Sequence, residues 1–367
     1  MKHSQQSAPA PRRTRSVSRS IVTIIAEILL TFAAICGLYV AWMQWWTGME
    51  SAHVQEETRQ QVAWAQPDAG GTLTIAQPQQ GEPPVQPESA RIGELMARVY
   101  IPRFGDQWER NLVQGTSLVE LNQHGLGHYE TSQMPGQVGN FAIAGHRNGY
   151  GQPLGDVDRL QPGDAIVIRS QDYWYVYQYT NYTIVTPDDG SVIGPNPEHP
   201  GEAPTKRMIT MTTCEPKYTT PTHRWISFGE LKYWAKVADG IPQELAKEGP
   251  NGAVQFVNNE KQSFFTSIGS LAPYVWGALA VYALVFAAAA VAWRWPALRA
   301  IREGRKPLPD ADIYGWLLRH QPGAAPVRWL LVLLLVFAAV CALFQWGFPW
   351  AAGNIEFLKQ MSNYVTI

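Results

Sequence analysis

Three long apolar stretches interrupt an otherwise polar chain. Ile21 to Trp46 is apolar except for Glu27 and Gln44. Ser263 to Trp293 has no charged residue, and its apolar part begins near Leu271. Trp329 to Trp346 is apolar apart from Gln345. Each has the ~18 residues a helix needs to cross a hydrocarbon core of ~30 Å. Tryptophans gather at the ends: Trp42, Trp45 and Trp46, then Trp293 and Trp295, then Trp346 and Trp350. Indole rings favour the membrane–water boundary. The pattern predicts membrane helices at 21–46, 269–293 and 329–347.

Between the first two stretches the pattern changes. Residues 47–95 are rich in Gln, Pro, Gly and Ala, as in "AQPQQGEPPVQPESA", and predict an extended linker. Over 96–240 the runs "ARVYIPRF", "NFAIAGH", "RMITMTTC" and "RWISFGEL" read as short strands between Gly and Pro turns. "AIVIRSQDYWYVYQYTNYTIV" reads as two or more strands around a turn at Ser170–Asp172, with the aromatic run Tyr173 to Tyr182 packing the hairpin. Many short strands and little helix predict an all-β closed barrel or sandwich. Residues 241–268 read as a stalk returning to the membrane, and 348–367 as a short external tail.

Charge supplies the orientation. The net charge of −1 over 367 residues offers no general attraction to nucleic acid. Residues 1–20 hold five basic residues and no acid, and 294–328 hold seven basic against three acidic. Such basic flanks belong in the cytoplasm. Residues 47–270, with 25 acidic and 16 basic, then lie outside. The first stretch is too long for a signal peptide and no clear small-residue cleavage site follows it, so it reads as an uncleaved anchor. Glu27 lies about one turn from the basic end, where its carboxylate snorkels or stays protonated.

Cys36 and Cys341 fall within predicted spans, which leaves Cys214 as the sole cysteine of the external region. An unpaired thiol outside the cell is either a small buried hydrophobe or a reactive group. A nucleophilic cysteine needs a neighbouring positive charge, commonly a histidinium, and donors aimed at the developing oxyanion. The external region offers His53, His124, His128, His146, His199 and His223. His146 ends the apolar run "NFAIAGH", which places its imidazole at a strand end and so at a barrel rim. Arg224 opens "RWISFGEL", ten residues after Cys214. A hairpin return would set its guanidinium beside the end of the cysteine's strand, ready to bond an oxyanion or a peptide carbonyl. Cys214, His146 and His223 lack any familiar metal-ligand spacing, so no metal is expected.

Together these segments resemble the sortase family over about residues 96–238. "MPGQVGNFAIAGHRNGYGQPLGDVDRLQPGDAIVI" is similar to the family's catalytic-histidine segment. "ITMTTCEPKYTTPTHRWISFGEL" is similar to its TLxTC motif with the arginine on the next strand, Met211 standing for the Leu. "GHYETSQMPG" resembles the GHYPGT element, with Glu130 for the Pro and Ser132 for the Gly, which alters the local loop. The resemblance implies an eight-stranded sortase barrel with membrane helices on both sides. It implies Cys214 as nucleophile, His146 as the histidine and Arg224 as the arginine of a transpeptidase. Thr213, Glu215, His128 and Tyr150, within or beside these motifs, are expected to contact substrate. The thiolate would attack the Thr carbonyl of an LPxTG-like signal at the C-terminus of a surface protein. An amine of a cell-wall precursor, or a pilin lysine, would resolve the thioester. No cofactor is implied.

Within the family, "EILLTFAAICGLYVAWMQWWTGM" followed by "YIPRFG" resembles the class E sortases of high-GC Gram-positive bacteria, which favour Ala in place of the signal's Pro. The "THR" before "WIS" and the later membrane segments are also similar to class C pilin polymerases. Those carry a lid with an Asp-Pro-aromatic motif, and "FGDQWER" lacks the Pro. Papain-type peptidases place Cys before His in the chain, whereas His146 precedes Cys214 by 68 residues. The non-enzymatic alternative is a membrane-tethered barrel serving as adhesin or scaffold.

Overall fold

The computed structural model describes residues 17–64, 67, 73–249, 252–256 and 268–365. The chain divides into two compact units. One comprises the chain up to Val40 with Ser270–Phe348, and the other Ala41–Gly269 with Pro349–Ile367.

The first unit is helical. It contains α1 (Val17–Ala41, whose last residue begins the other unit) and, from the C-terminal part, α4 (Ala272–Ala292), α5 (Pro296–Arg302), α6 (Ile313–His320) and α7 (Ala325–Ala342). Among the described residues of the chain, three helical stretches are long and apolar enough to cross a membrane: Val17–Gln61, Ala272–Ala292 and Ala325–Asn354, the first and third running on into the other unit. Polar side chains inside this unit have specific partners. Gln345 Oε1 accepts from the Leu271 backbone N–H at 2.6 Å, at the start of α4. Glu27 Oε2 accepts from the Ile313 N–H at 2.5 Å, at the start of α6. The odd carboxylate in the first apolar stretch thus satisfies an orphan donor of a helix N-terminus.

The second unit is built on a closed barrel. Its strands are β1 (Leu95–Tyr100), β2 (Glu109–Gln114), β3 (Leu126–His128), β4 (Gly139–Gly145), β5 (Ala165–Arg169), β6 (Tyr173–Val185), β7 (Arg207–Glu215) and β8 (His223–Lys236). They close in the order β1-β2-β3-β4-β7-β8-β6-β5. Pairing is antiparallel except for β2 with β3 and β4 with β7. Closure leaves no free sheet edge, which suits an aromatic-rich sheet. The barrel interior holds Met96, Val99, Leu112, Leu126, Phe141, Ile143, Ile166, Ile168, Tyr175, Tyr177, Ile209 and Met211. Along β6 the alternate residues Trp174 and Val176 point the other way, into an outer cluster with Tyr100, Val167, Ile241 and Leu245. The tyrosine run is therefore two-sided packing, as period-two alternation requires.

The expected linker is not free chain. Thr47–Gln61 forms α2, reached from α1 through a π-helical turn at Trp42–Trp46. The segment has one glycine, no proline and many straight-chain polar residues. It extends an existing helix, so it bears no new nucleation cost. Its polar face docks by hydrogen bonds. Gln55 Oε1 accepts from the Asn111 N–H (3.0 Å), Asn111 Nδ2 donates to the Gln55 carbonyl (2.9 Å), and Arg59 Nη1 donates to Asn111 Oδ1 (3.1 Å). Further on, bridges pair Ile75 with Ile241, Gln79 with Trp234 and Ile92 with Gln114, which pin the second half to the barrel.

The expected stalk also begins inside the fold. Ile241 and Leu245 are buried in the outer cluster, and β9 (Ala246–Glu248) pairs with β10 (Val254–Phe256). Residues 257–267 of that stalk lie outside the described residues. The expected external tail is helical, with α8 (Phe348–Asn354) and α9 (Glu356–Ser362).

Candidate active site

Register brings the candidate residues together. On the β7–β8 hairpin Cys214 is the cross-strand partner of Arg224, Thr213 of Trp225 and Glu215 of His223. On its other side β7 runs parallel to β4, with Ala144 opposite Thr212. Two further residues along both chains set His146 level with Cys214, just past the end of β4. Three hydroxyls fasten this edge. Thr210 Oγ1 donates to Asn140 Oδ1 (2.8 Å), Thr212 Oγ1 bonds the Tyr129 hydroxyl (2.9 Å), and Thr213 Oγ1 donates to the Gly145 carbonyl (2.7 Å). Gly145 leaves no room for a side chain, since a Cβ there would lie 2.6 Å from Leu126 Cδ2. The residue before the histidine is thus fixed by its own carbonyl and by its smallness.

His146 is 4% exposed. Its Nε2 lies 2.6 Å from Asn122 Oδ1, an acceptor, so Nε2 carries the proton and Nδ1 carries the lone pair. Asn122 comes from α3 (Leu118–His124), a short helix begun by Ser117, whose hydroxyl accepts from the Val119 N–H. Tyr150 stacks on the imidazole with centroids 5.0 Å apart. Burial pushes the His146 pKa down to about 4. Burial likewise pushes the Cys214 thiol up, while Arg224 and then Arg147 pull it back in part. In this arrangement neutral pH leaves a thiol beside a neutral imidazole.

Arg147 was not singled out from the sequence. It is 6% exposed. Its Nη1 donates to the Cys214 carbonyl at 3.3 Å and to the Glu215 carboxylate, while Asp158 lies 3.7 Å from its Nη2. Its guanidinium stands 4.8 Å over the Trp225 ring. It therefore ties the chain after β4 to the end of β7. Among the described residues Arg224 Nη1 donates to the adjacent His223 carbonyl, at 3.2 Å, and its other guanidinium N–H groups have no partner there.

Cys214 and His146 line one cleft of about 370 Å³. Its walls are the chain after each strand, Arg147 to Gly149 and Pro216 to Pro221, with Met43, Gln44 and residues of α9. None of the four expected substrate contacts lines it. Thr213 is buried by its bond to Gly145. Glu215 is engaged by Arg147, and Tyr150 is buried behind His146. His128 is 0% exposed within β3, with Nδ1 on Gln114 Oε1 (2.8 Å) and Nε2 on the Gln133 carbonyl (3.0 Å). Ser132 joins that network at 2.9 Å. Closeness to a motif in the chain placed these residues behind the rim rather than on it. Among the described residues no three His, Cys, Asp or Glu side chains gather as a metal site would require.

Asn122 and the α9 wall were also missed. Arg147 carried a signal, being a fixed cation adjacent to the strand-end histidine. Asn122 lies 24 residues before His146 and had none.

Comparison with known proteins names the family. A sortase-domain family model matches residues 99–232. The chain is 31% identical over 245 residues to Sortase SrtE2 of Streptomyces coelicolor, covering 64% of this chain and 92% of that one. It is 31% identical over 243 residues to Sortase SrtE1 of the same organism, 64% of each chain. Among solved structures, sortase E from Streptomyces avermitilis is 37% identical, with a TM-score of 0.39, covering 42% of this chain and 99% of that one. The chain belongs to the sortase family, a family of transpeptidases. Within it, the chain is most like the class E sortases.

Proposed function

We propose that this chain is a membrane-anchored cysteine transpeptidase acting on sorting signals of the form Leu-Ala/Pro-x-Thr-Gly. The observation that carries the reading is the shared rim. Cys214 and His146 line one cleft, and Arg224 is the cross-strand partner of Cys214. Loss of the thiol proton produces the thiolate, with His146 Nδ1 the available acceptor. The sulfur attacks the Thr carbonyl carbon, forming the C–S bond and placing the electron pair on oxygen. The Arg224 guanidinium stabilises that oxyanion. Collapse breaks the Thr–Gly bond, and the His146 imidazolium gives its proton to the leaving Gly amine. An acceptor amine then attacks the thioester carbonyl carbon and gives its extra proton to His146, the C–S bond breaks with the electron pair on sulfur, and His146 returns the proton to the Cys214 thiolate. The acceptor in this reading is an amine of a cell-wall precursor.

Incubating the protein with LAxTG and LPxTG peptides and a free amine, with products read by mass, tests the chemistry. Amide-linked product is expected from the wild type and none from Cys214→Ala, and product from the alanine variant would overturn the assignment. The reading also places the barrel outside the cell on a three-span anchor. A membrane-impermeant thiol reagent on intact cells should then modify Cys214 and spare Cys36 and Cys341. Modification of Cys341 from outside would refute that topology.

A further inference from the structure

The cleft that holds Cys214 and His146 is closed on one side by this chain's own C-terminal segment. Phe357, Gln360, Met361, Ser362 and Asn363 all line it. The contact is anchored at two points. Asn122 Nδ2 donates to the Asn363 carbonyl at 3.1 Å, and Tyr364 sets its ring 5.9 Å from that of Trp42. Asn122 is the same side chain whose oxygen holds His146 Nε2. One amide therefore joins the histidine to the tail. Asn363 sits at φ 50°, which stops α9 and turns its carbonyl toward Asn122.

The segment is lightly held. α9 has seven residues, too few to be a stable helix by itself. Phe357 is 70% exposed and Met361 45% exposed, so these two apolar side chains hold it weakly, and its burial rests on half-buried Leu358 and on Tyr364 against Trp42. A segment with few buried contacts opens at low free energy. The cleft has little spare room while the segment stays. About 370 Å³ lies near the small end for even a drug-sized ligand. An extended five-residue signal runs ~16 Å at ~3.3 Å per residue, and an acceptor amine must also approach.

We infer that Glu356–Tyr364 is a resident occupant of the catalytic cleft, a competitor in cis that an incoming polypeptide must displace. The chemistry of the match is a short mixed apolar–amide segment whose backbone carbonyl is read by Asn122. A substrate backbone carbonyl is the group able to take over that donor. The inference rests on the transpeptidase reading for its biological sense, but its test does not.

The test uses the full chain in detergent, with a protease recognition sequence inserted between Asn354 and Glu356. The tail is severed after folding, so misfolding of a truncated chain is not at issue. Alkylation of Cys214 by iodoacetamide is followed by mass, with a synthetic peptide of residues 355–367 added back. Severing should raise the alkylation rate at least tenfold, and the peptide should restore slow alkylation. Met361→Glu with Tyr364→Ala should raise the rate in the uncut chain. An alkylation rate unchanged by cutting and by the double variant overturns the inference. Faster alkylation without turnover of sorting peptides would uphold the occupied cleft and count against the transpeptidase reading.

Discussion

Two histidines of this barrel share an environment and differ in what it leaves them. His128 on β3 and His146 beyond β4 are both almost wholly buried, and burial drives both imidazoles down to about 4. His128 spends both ring nitrogens on Gln114 and on Gln133 with Ser132, and it stacks on Phe141 at 5.2 Å. His146 spends one, on Asn122, and it lines a cleft with a thiol. A depressed imidazole is thus no mark of a working base. What sets His146 apart is a second ring nitrogen with no hydrogen bond among the described residues, on a side chain that lines a cleft, and that is the feature a proposed base requires.

The sharpest way to break this contrast is to remove each imidazole. His146→Ala should lower kcat by roughly 10²–10⁴, the range for a lost general acid–base. His128→Gln should leave kcat within about threefold at temperatures where the barrel is folded, and should lower Tm. Its cost is that of disrupted buried hydrogen bonds, ~1–3 kcal/mol for each group left unsatisfied. Steady-state kinetics beside thermal melts would decide. A fully folded His128→Gln enzyme as inactive as His146→Ala would end the distinction.

Arg224→Lys comes next. Lysine keeps the charge and loses the planar fork, so it cannot hold an oxyanion in the same geometry. A loss of about 10²–10³ in kcat is expected, the usual cost of one oxyanion donor. KM should move less, because the contact strengthens in the transition state. Wild-type kcat in the lysine variant would show that the guanidinium is not the donor.

These two histidines, together with His124, which burial also pushes down, act on stability. Below pH 6.5 the unfolded chain takes up protons on the His128 and His146 imidazoles, while the native protein resists until about 4. The unfolded state then binds more protons, so the histidine contribution to stability falls as pH falls from 6.5 toward 4 and does not change above 7. Each of His128 and His146 contributes up to about 3 kcal/mol across that window, at ~1.4 kcal/mol per pKa unit. Chemical denaturation at pH 7.5 and pH 5 should show the loss. His128→Gln should make the slope shallower, with His146 and His124 supplying the rest, and an unchanged slope would mean that His128 is not kept neutral in the fold.

How much of this was readable in the chain follows from the range of the forces. The β7–β8 hairpin was legible because its facts are local. "ITMTTC" ends one strand, "RWISF" opens the next, and the ten-residue spacing fixes Cys214 opposite Arg224. The turn between β5 and β6 was legible for the same reason. α2 was not, because its residues are polar all round and its stability comes from docking on Asn111, 56 residues away from Gln55. α9 was not, since "EFLKQMS" carries too short a pattern to reveal a face and its place depends on Asn122 and Trp42. The expectation for His128 failed because motif membership says nothing of which way a strand residue points.

The smallest expected effect probes that same question of direction. His223 and Arg224 are neighbours on β8, and successive strand residues project to opposite faces. His223 is exposed and exchanges a 2.9 Å hydrogen bond with the Thr222 hydroxyl. Its cross-strand partner is Glu215, which is taken by Arg147. Neither His223 nor Arg224 is among the residues that line the cleft, so the difference expected between them rests on strand alternation and on Arg224, not His223, being the cross-strand partner of Cys214. His223→Ala should change kcat/KM by less than about threefold, since a surface substitution away from buried features stays within about 0.5 kcal/mol. Kinetics on this variant beside His146→Ala gives the comparison directly. If its loss matched that of His146→Ala, the strand face assigned to the working residues would be reversed, and Arg224 would have to be reassigned with it.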